Sequence, residues 1–359
     1  MTQVIFHSPM RVAADGAVGS AIRPYRMLEA FRQEGYDVID VTGTAVERRE
    51  KAIAARRALR AGDVAFCYSE LSSSPIAMSE PRSSHVDPRD DFQLFADCRS
   101  AGVPVGAFYR DVYWRFPGFL EWRRLPYRLA MRYHYERDLR RLAQTVDVLF
   151  LPSMRMGDYI PVVDPKKFRE LPPGAPIAPL GPPEEGVRLF YVGGLGRFYD
   201  LAECVAAVAQ TEEAELTMCV PPAQWEAHRE DYERFLCDRI RVVHGQGAEL
   251  EPYFVQANIG VLAMKPIEYR SFAAPIKLFE YLGRGLPVLA SKGTYAGDFI
   301  EKTGAGWAPE YSRKGIGDVL ARVIADPSGI ADARTSALRV REETTWAARA
   351  RQAALALLE

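Results

Sequence analysis

Residues 172–186 read PPGAPIAPLGPPEEG, with six prolines in fifteen positions. Proline fixes φ and has no amide hydrogen to donate, so this density forbids both a helix and a central strand. The stretch is therefore a linker, and its two flanks decide the fold. Upstream, short β-branched or aromatic runs at 4–7, 36–41, 63–68, 104–109 and 146–151 alternate with helical stretches such as 23–34 and 124–142. Downstream the alternation restarts, with apolar runs at 187–192, 215–220, 240–243, 258–263 and 287–290. Two successive sets of β-then-α units predict an α/β chain of two Rossmann-like, doubly wound parallel sheets. The predicted division is a first domain over 1–175, a linker over 176–186 and a second domain over 187–342. The remaining residues, 343–359, hold an Ala/Leu-rich helix that either packs on the second domain or crosses back to the first.

A chain of 359 residues is long enough for two cores at about 150 residues per domain. With 48% hydrophobic and 26% charged residues it has the composition of an ordinary folded protein. Lys+Arg 46 against Asp+Glu 47 leaves a formal net charge of -1, so no global field holds nucleic acid, and no RNP or KH motif is present. Residues 1–20 show no basic start followed by an apolar core, and no run approaches the roughly 18 apolar residues of a membrane span. A cytoplasmic protein is expected. The cysteines, Cys67, Cys98, Cys204, Cys219 and Cys237, are odd in number and dispersed, which fits buried reduced thiols better than disulfides. The five histidines are equally scattered, and no HxxxH or CxxC spacing suggests a metal.

Ligands of doubly wound sheets sit at the carboxyl ends of the strands, so two such sheets facing each other are expected to form a cleft lined by strand-to-helix loops. The most informative loop leads into residues 274–291, APIKLFEYLGRGLPVLAS. Pro275 falls in the first turn of a helix that ends near Gly283 or Gly285, ahead of a strand at Pro287. Lys277 and Glu280 are three residues apart, which puts a cation and a carboxylate on one face beside the free N–H groups of the helix start. A nucleotide diphosphate needs this combination, with the cation for its phosphates and the carboxylate for its ribose hydroxyls. An ordinary ion pair on a solvated helix has the same spacing.

The run PIKLFEYLGRGLPVLAS resembles the donor-site segment of GT-B glycosyltransferases, in particular the family 4 group, in which a glutamate-bearing helix precedes a G-x-P-V-x-A-S strand. The resemblance extends along nearly the whole chain in order. It takes in a glycine-containing loop after the first strand, the LPPG segment at 171–174, a GG loop opening the second domain, and this helix. It implies that Glu280 binds the nucleotide ribose and that Lys277 approaches the donor phosphates. The chain departs from the family's E-x7-E pattern by carrying Phe272 where the first glutamate belongs, which puts that residue's contact with the donor sugar in doubt. Tyr269, Arg270 and Ser271 lie just upstream and are candidates to replace it.

A second loop, 191–201, reads YVGGLGRFYDL. Gly193, Gly194 and Gly196 permit close approach of backbone to a phosphate, and Arg197 adds a charge, although a tight structural turn would use the same glycines. In family 4 this loop supplies an arginine and then a lysine to the diphosphate. Here Arg197 is followed by Asp200, Leu201 and Ala202, leaving Lys277 to supply the missing cation.

In the first domain, GAFYRDVYWRF at 106–116 places Arg110 and Asp111 after a buried strand. Asp111 is the candidate catalytic residue. It would be the general base of an inverting reaction, or would orient donor or acceptor in the retaining reaction that the resemblance implies. An Arg–Asp pair closing a loop is the plainer alternative. The loop at 8–23, with Gly16, Gly19 and Ser20, resembles the family's first loop against donor and acceptor, and Glu70 in YSELSSSP is an acceptor-side candidate.

Residues 110–141 carry nine arginines against four acids, interleaved with Tyr113, Trp114, Phe116, Phe119, Trp122, Tyr127, Tyr133 and Tyr135. Arg124, Arg128 and Arg132 recur every four residues, forming a stripe on one helical face. Such a surface suits an anionic membrane at the inner leaflet; a solvated helix with its aromatics in the core accounts for the same pattern. The resemblance thus implies a metal-independent, retaining, hexosyltransferase-type enzyme. It needs no cofactor beyond a nucleotide-diphosphate sugar as co-substrate, with UDP as the expected nucleotide, and its acceptor is a glycan or polyprenyl-linked molecule of bacterial surface polysaccharide assembly. The chain has no D-x-D after a second-domain strand, in keeping with no metal. A nucleotide-sugar epimerase of the same form and a non-catalytic nucleotide-sugar-binding protein are the alternatives.

Overall fold

The computed structural model describes residues 2–12, 19–80, 87–121, 123–178 and 186–359. The chain divides into two units, Met1–Pro173 with Trp346–Glu359, and Gly174–Thr345.

The first unit is built on six parallel strands, β1 (Gln3–Ser8), β2 (Asp37–Thr42), β3 (Val64–Glu70), β4 (Val105–Phe108), β5 (Val148–Leu151) and β6 (Phe168–Glu170). Their order is β2-β1-β3-β4-β5-β6. Strands such as VIFHS in β1 and VGAF in β4 are buried throughout, as expected when helices cover both faces of a parallel sheet. The chain leaves β1 for β2 on one side and returns to β3 on the other, so the topological switch lies between β1 and β3. The Ala45–Ala61 helix shows how local sequence sets an element. Thr44 and Glu47 form a capping box at its start, and Gly62 at φ 78° ends it in the left-handed conformation that glycine adopts without penalty.

The terminal helix, Trp346–Leu358, belongs to the first unit. Trp346, Ala350, Ala353, Ala354 and Leu357 pack with Met27, Phe31, Phe108 and Phe150 in one buried cluster. Gly106 in β4 makes this close approach possible, because a Cβ there would stand 2.6 Å from Phe150 and 2.9 Å from Leu357. A side chain at 106 would have to displace the Phe150 ring and the Leu357 methyl groups that now fill this space.

The second unit repeats the plan with β7 (Val187–Val192), β8 (Ala214–Cys219), β9 (Ile240–Val243), β10 (Ile259–Leu262), β11 (Val288–Ala290) and β12 (Gly306–Trp307), ordered β12-β11-β10-β7-β8-β9. Its switch lies between β7 and β10. The two edge strands β6 and β12, of three and two residues, were not foreseen from sequence; segments so short carry no period to read. Within this unit the Ala175 amide donates to the Thr344 carbonyl at 3.0 Å, and the Ala178 amide donates to the Gly283 carbonyl at 3.1 Å. All five cysteines are free thiols and four are buried.

Candidate functional site

The Ile276–Gly283 helix is positioned by its inner face. Leu278, Phe279, Tyr281 and Leu282 are buried, and the Tyr281 ring lies over Gly260 of β10. The Tyr281 hydroxyl accepts from the Val192 amide at 3.1 Å, tying the helix to the end of β7. With that face fixed, Lys277 and Glu280 occupy the partly exposed face of the first turns, where Lys277 Nζ donates to Glu280 Oε2 at 2.6 Å. No side chain caps the helix start at Pro275, so its N–H groups are not spent on a capping residue. Lys277 also stands near the carboxyl end of β8: burial pushes the Cys219 thiol up, and the positive charge of Lys277 works against that shift.

The glycine turn after β7 is folded onto its own neighbours. The Tyr191 hydroxyl donates to the Gly194 carbonyl at 2.5 Å, and the Leu195 amide donates to Gln224 Oε1 at 2.8 Å. A Cβ at Gly194 would stand 2.7 Å from that same Gln224 oxygen, and Gly196 sits at φ +115°. The turn itself thus favours glycine at 196, and a side chain at 194 would displace the Gln224 amide from its bond to Leu195. Arg197 is exposed on its outer side. It borders a cleft of about 520 Å³ with Gly196, Asp200, His228, Arg234 and Lys265. The Lys265 amide donates to the Asp200 carbonyl at 2.9 Å, joining the loops that follow β7 and β10.

Phe272 is buried against Tyr269, with ring centroids 5.3 Å apart. The position where the resembling family carries a glutamate is therefore part of the core. Ser271 is buried, and its hydroxyl donates to the Glu268 carbonyl at 2.7 Å. Tyr269 also meets the Phe198 ring, at 6.3 Å.

In the first unit two of the residues foreseen from sequence, Glu70 and Arg110, meet beside the β1–β3 switch. Ser8 Oγ donates to the Glu70 carbonyl at 2.9 Å, joining the two strand ends. The Glu70 side chain is fully buried. It accepts from Arg23 Nε at 2.9 Å and from the Tyr68 hydroxyl at 2.6 Å, and Arg110 Nη2 is 3.8 Å away. Burial pulls Arg110 below the ordinary arginine value, with Glu70 opposing that shift. Glu70 thus holds two guanidinium groups and is itself out of contact with solvent. Asp111 is half-buried just beyond, its carboxylate accepting from the Tyr113 amide at 2.8 Å. Gly19 and Ser20 open the Gly19–Gln33 helix; Gly16 lies outside the described residues. Arg23 was missed from sequence because nothing in its helical context marks it as the partner of a residue 47 positions on.

A second buried network was also missed. His7 Nδ1 lies 2.8 Å from Ser69 Oγ and His7 Nε2 lies 2.8 Å from Asp91 Oδ1, a Ser–His–Asp order on β3, β1 and the Arg89–Ser100 helix. Ser69 and His7 have no exposed surface, so no substrate reaches this hydroxyl. Arg48 closes the network with two bonds to Asp91, at 2.7 and 3.0 Å. It is a stabilising cluster.

The 110–141 region splits in two. Trp114, Phe119 and Tyr135 point into the core, with Trp114 stacked on Tyr135 at 5.0 Å and the Tyr113 and Tyr135 hydroxyls 3.1 Å apart. These aromatics belong to packing, which corrects their inclusion in a surface patch. What faces solvent on the Leu125–Thr145 helix is Leu125, Leu129 and Tyr133, 61%, 56% and 59% exposed and spaced by four, with Arg124, Arg128 and Arg132 each one residue before them. Trp122 lies outside the described residues. Among the described residues no helix is long and apolar enough to cross a membrane, and no group of three His, Cys, Asp or Glu could hold a metal ion.

No protein-family model matches the chain, and no curated protein matches it by sequence. Solved structures do match in three dimensions. Sucrose-phosphate synthase from Thermosynechococcus elongatus superposes with a TM-score of 0.62 at 16% identity, covering 98% of this chain and 97% of that one. HepE of Anabaena, solved with UDP and glucose, gives 0.58 at 12% identity over 99% of each chain. Both are GT-B glycosyltransferases. The chain has the GT-B fold. The same fold carries other chemistry, since a putative UDP-N-acetylglucosamine 2-epimerase from Listeria monocytogenes superposes at 0.50 and 10% identity, covering 98% of this chain and 94% of that one. Lys277, Glu280 and the glycine turn all belong to the second unit, and Glu70, Arg110 and Asp111 to the first.

Proposed function

We propose that the chain is a metal-independent glycosyltransferase that takes a nucleotide-diphosphate sugar in its second unit and transfers the sugar to a glycan or lipid-linked acceptor of surface polysaccharide assembly. The observation that carries this reading is the Lys277–Glu280 pair on the uncapped first turns of a helix pinned to the β7 end. Glu280 is placed to accept from the ribose hydroxyls. Lys277, released from Glu280, together with the helix N–H groups, offsets the negative charge that builds on the departing diphosphate. Arg197 adds charge from the glycine turn. The reading includes retention of configuration, with Asp111 orienting the reacting groups at the end of β4.

Turnover with a panel of UDP-sugars and a lipid-linked or oligosaccharide acceptor tests the proposal. Free nucleotide should appear only when both substrates are present. Interconversion of the donor sugar without any acceptor would replace this reading with an epimerase, and donor binding without turnover would leave a nucleotide-sugar-binding protein.

The same proposal places the enzyme on the inner membrane face through the Leu125–Thr145 helix. Isolated exposed apolar residues are ordinary, but Leu125, Leu129 and Tyr133 recur on one face beside three arginines, a pattern suited to the headgroup layer of an anionic bilayer. Each basic side chain near such a surface contributes about 1 kcal/mol. Changing Arg124, Arg128 and Arg132 together to glutamate is therefore expected to weaken sedimentation with phosphatidylglycerol vesicles by about a hundredfold or more. Unchanged sedimentation would remove the membrane contact from the proposal.

A further inference from the structure

The proposed donor pocket contains a cation that the protein does not neutralise. Arg270 lies in the segment between β10 and the Ile276–Gly283 helix. Its Nη2 donates to the Phe198 carbonyl and its guanidinium sits 4.9 Å over the Tyr199 ring, so the glycine turn folds across it. Its Nε is buried and has no hydrogen-bond partner. Among the described residues it forms no ion pair, and the groups that favour its charge are the phenols of Tyr199, Tyr191 and Tyr269. Burial pulls it below the ordinary arginine value.

Its neighbours in the same unit differ in this respect. Lys277 is matched by Glu280 at 2.6 Å, and Arg284 by Glu251. A half-buried cation held over the Tyr199 ring, with a donor still to satisfy, favours an anionic oxygen more strongly than a cation that already has its carboxylate. A guanidinium also suits planar, two-oxygen acceptors better than an ammonium does.

We infer that Arg270 is an anion-binding residue of the donor pocket and sets the preference for the donor there, taking an anionic oxygen group of the nucleotide sugar. The inference rests on the glycosyltransferase reading of this pocket. Phosphate and carboxylate are the two sources of such oxygens. If the group is the diphosphate, Arg270 supports the leaving group beside Lys277. If it is a sugar carboxylate, Arg270 selects a uronic acid donor at the place where the buried Phe272 leaves no carboxylate to bind sugar hydroxyls.

The test is calorimetry on the full chain with UDP, GDP, ADP, UDP-glucose and UDP-glucuronic acid, comparing the native protein with Arg270→Gln and Arg270→Lys. Losing a charge-assisted bond is expected to weaken the affected ligands about tenfold or more in Arg270→Gln, with partial recovery in Arg270→Lys. A loss common to the diphosphates supports the phosphate role, and a loss confined to UDP-glucuronic acid supports the carboxylate role. Equal affinities in all three proteins would overturn the inference while leaving the donor pocket standing. Native protein that binds none of the five would overturn the pocket itself and the inference with it. Unfolding without ligand supplies the control. Removing an unneutralised buried charge is expected to leave Tm unchanged or higher, whereas a lower Tm with unaltered ligand affinity would assign Arg270 to structure alone.

Discussion

Arg48→Ala is expected to lower the stability of the first unit by about 3–5 kcal/mol, a drop in its Tm of about 6–20 °C for a unit of this size. Arg48 donates to both Asp91 oxygens and to the Gly43 carbonyl, at 2.7, 3.0 and 2.6 Å, from a position 3% exposed. Burial alone would raise the Asp91 carboxyl, but the bonds from His7 and Arg48 hold it well below the carboxylate range. Truncating Arg48 leaves that charge buried without its cation. The pH dependence provides a sharper check. Burial, and to a lesser degree the Arg48 charge, pull His7 below its ordinary value, so the folded state binds fewer protons at this site than the unfolded chain. Its contribution is complete above about pH 6.5 and declines as pH falls below that. Without Arg48, the bare Asp91 carboxylate favours a protonated His7. The gap between native and variant Tm should therefore be narrower at pH 5.5 than at pH 7.5, and an equal or wider gap would show that the network does not couple these groups.

What could be read from sequence, and what could not, divides by sequence distance. Ten of the twelve strands were legible because a buried parallel strand is a local apolar run, and the Lys277–Glu280 pair because three residues on a helix fix a shared face. The clusters at the first switch point were not. Arg23 meets Glu70 across 47 residues, and His7 meets Ser69 and Asp91 across 62 and 84. Only the order of strands brings these groups together, and composition does not encode that order. Orientation was the other limit. Tyr133 and Tyr135 are two residues apart on one helix, yet Tyr133 is exposed while Tyr135 stacks on Trp114 in the core. The helical period says that they diverge, but which of them faces inward depends on where Trp114 and Phe119 arrive from outside the helix. The terminal helix is a similar case, since its Ala-rich face fits any close-packed surface and the glycine at position 106 selects the first unit's sheet.

Lys277→Ala and Glu280→Ala are each expected to weaken nucleotide-sugar binding by about ten- to a hundredfold, the effect of losing one charge-assisted contact of roughly 1.5–3 kcal/mol. Neither should unfold the protein, because a partly exposed i,i+3 pair contributes only about 0.2–0.5 kcal/mol to a helix. The two variants should also fail differently. Lys277 serves the phosphates, so Lys277→Ala is expected to lose affinity for UDP and keep whatever affinity the pocket has for uridine. Glu280 serves the ribose, so Glu280→Ala is expected to lose affinity for both. Its removal also frees the Lys277 ammonium from its 2.6 Å partner and leaves one more unbalanced positive charge at the helix start. Inorganic pyrophosphate should then bind Glu280→Ala at least as tightly as it binds the native protein, and more weakly to Lys277→Ala. Isothermal calorimetry at low salt measures all six comparisons. Intact donor affinity in both variants would remove the pair from the site and leave it as an ion pair on a helix surface, the alternative that spacing alone does not exclude.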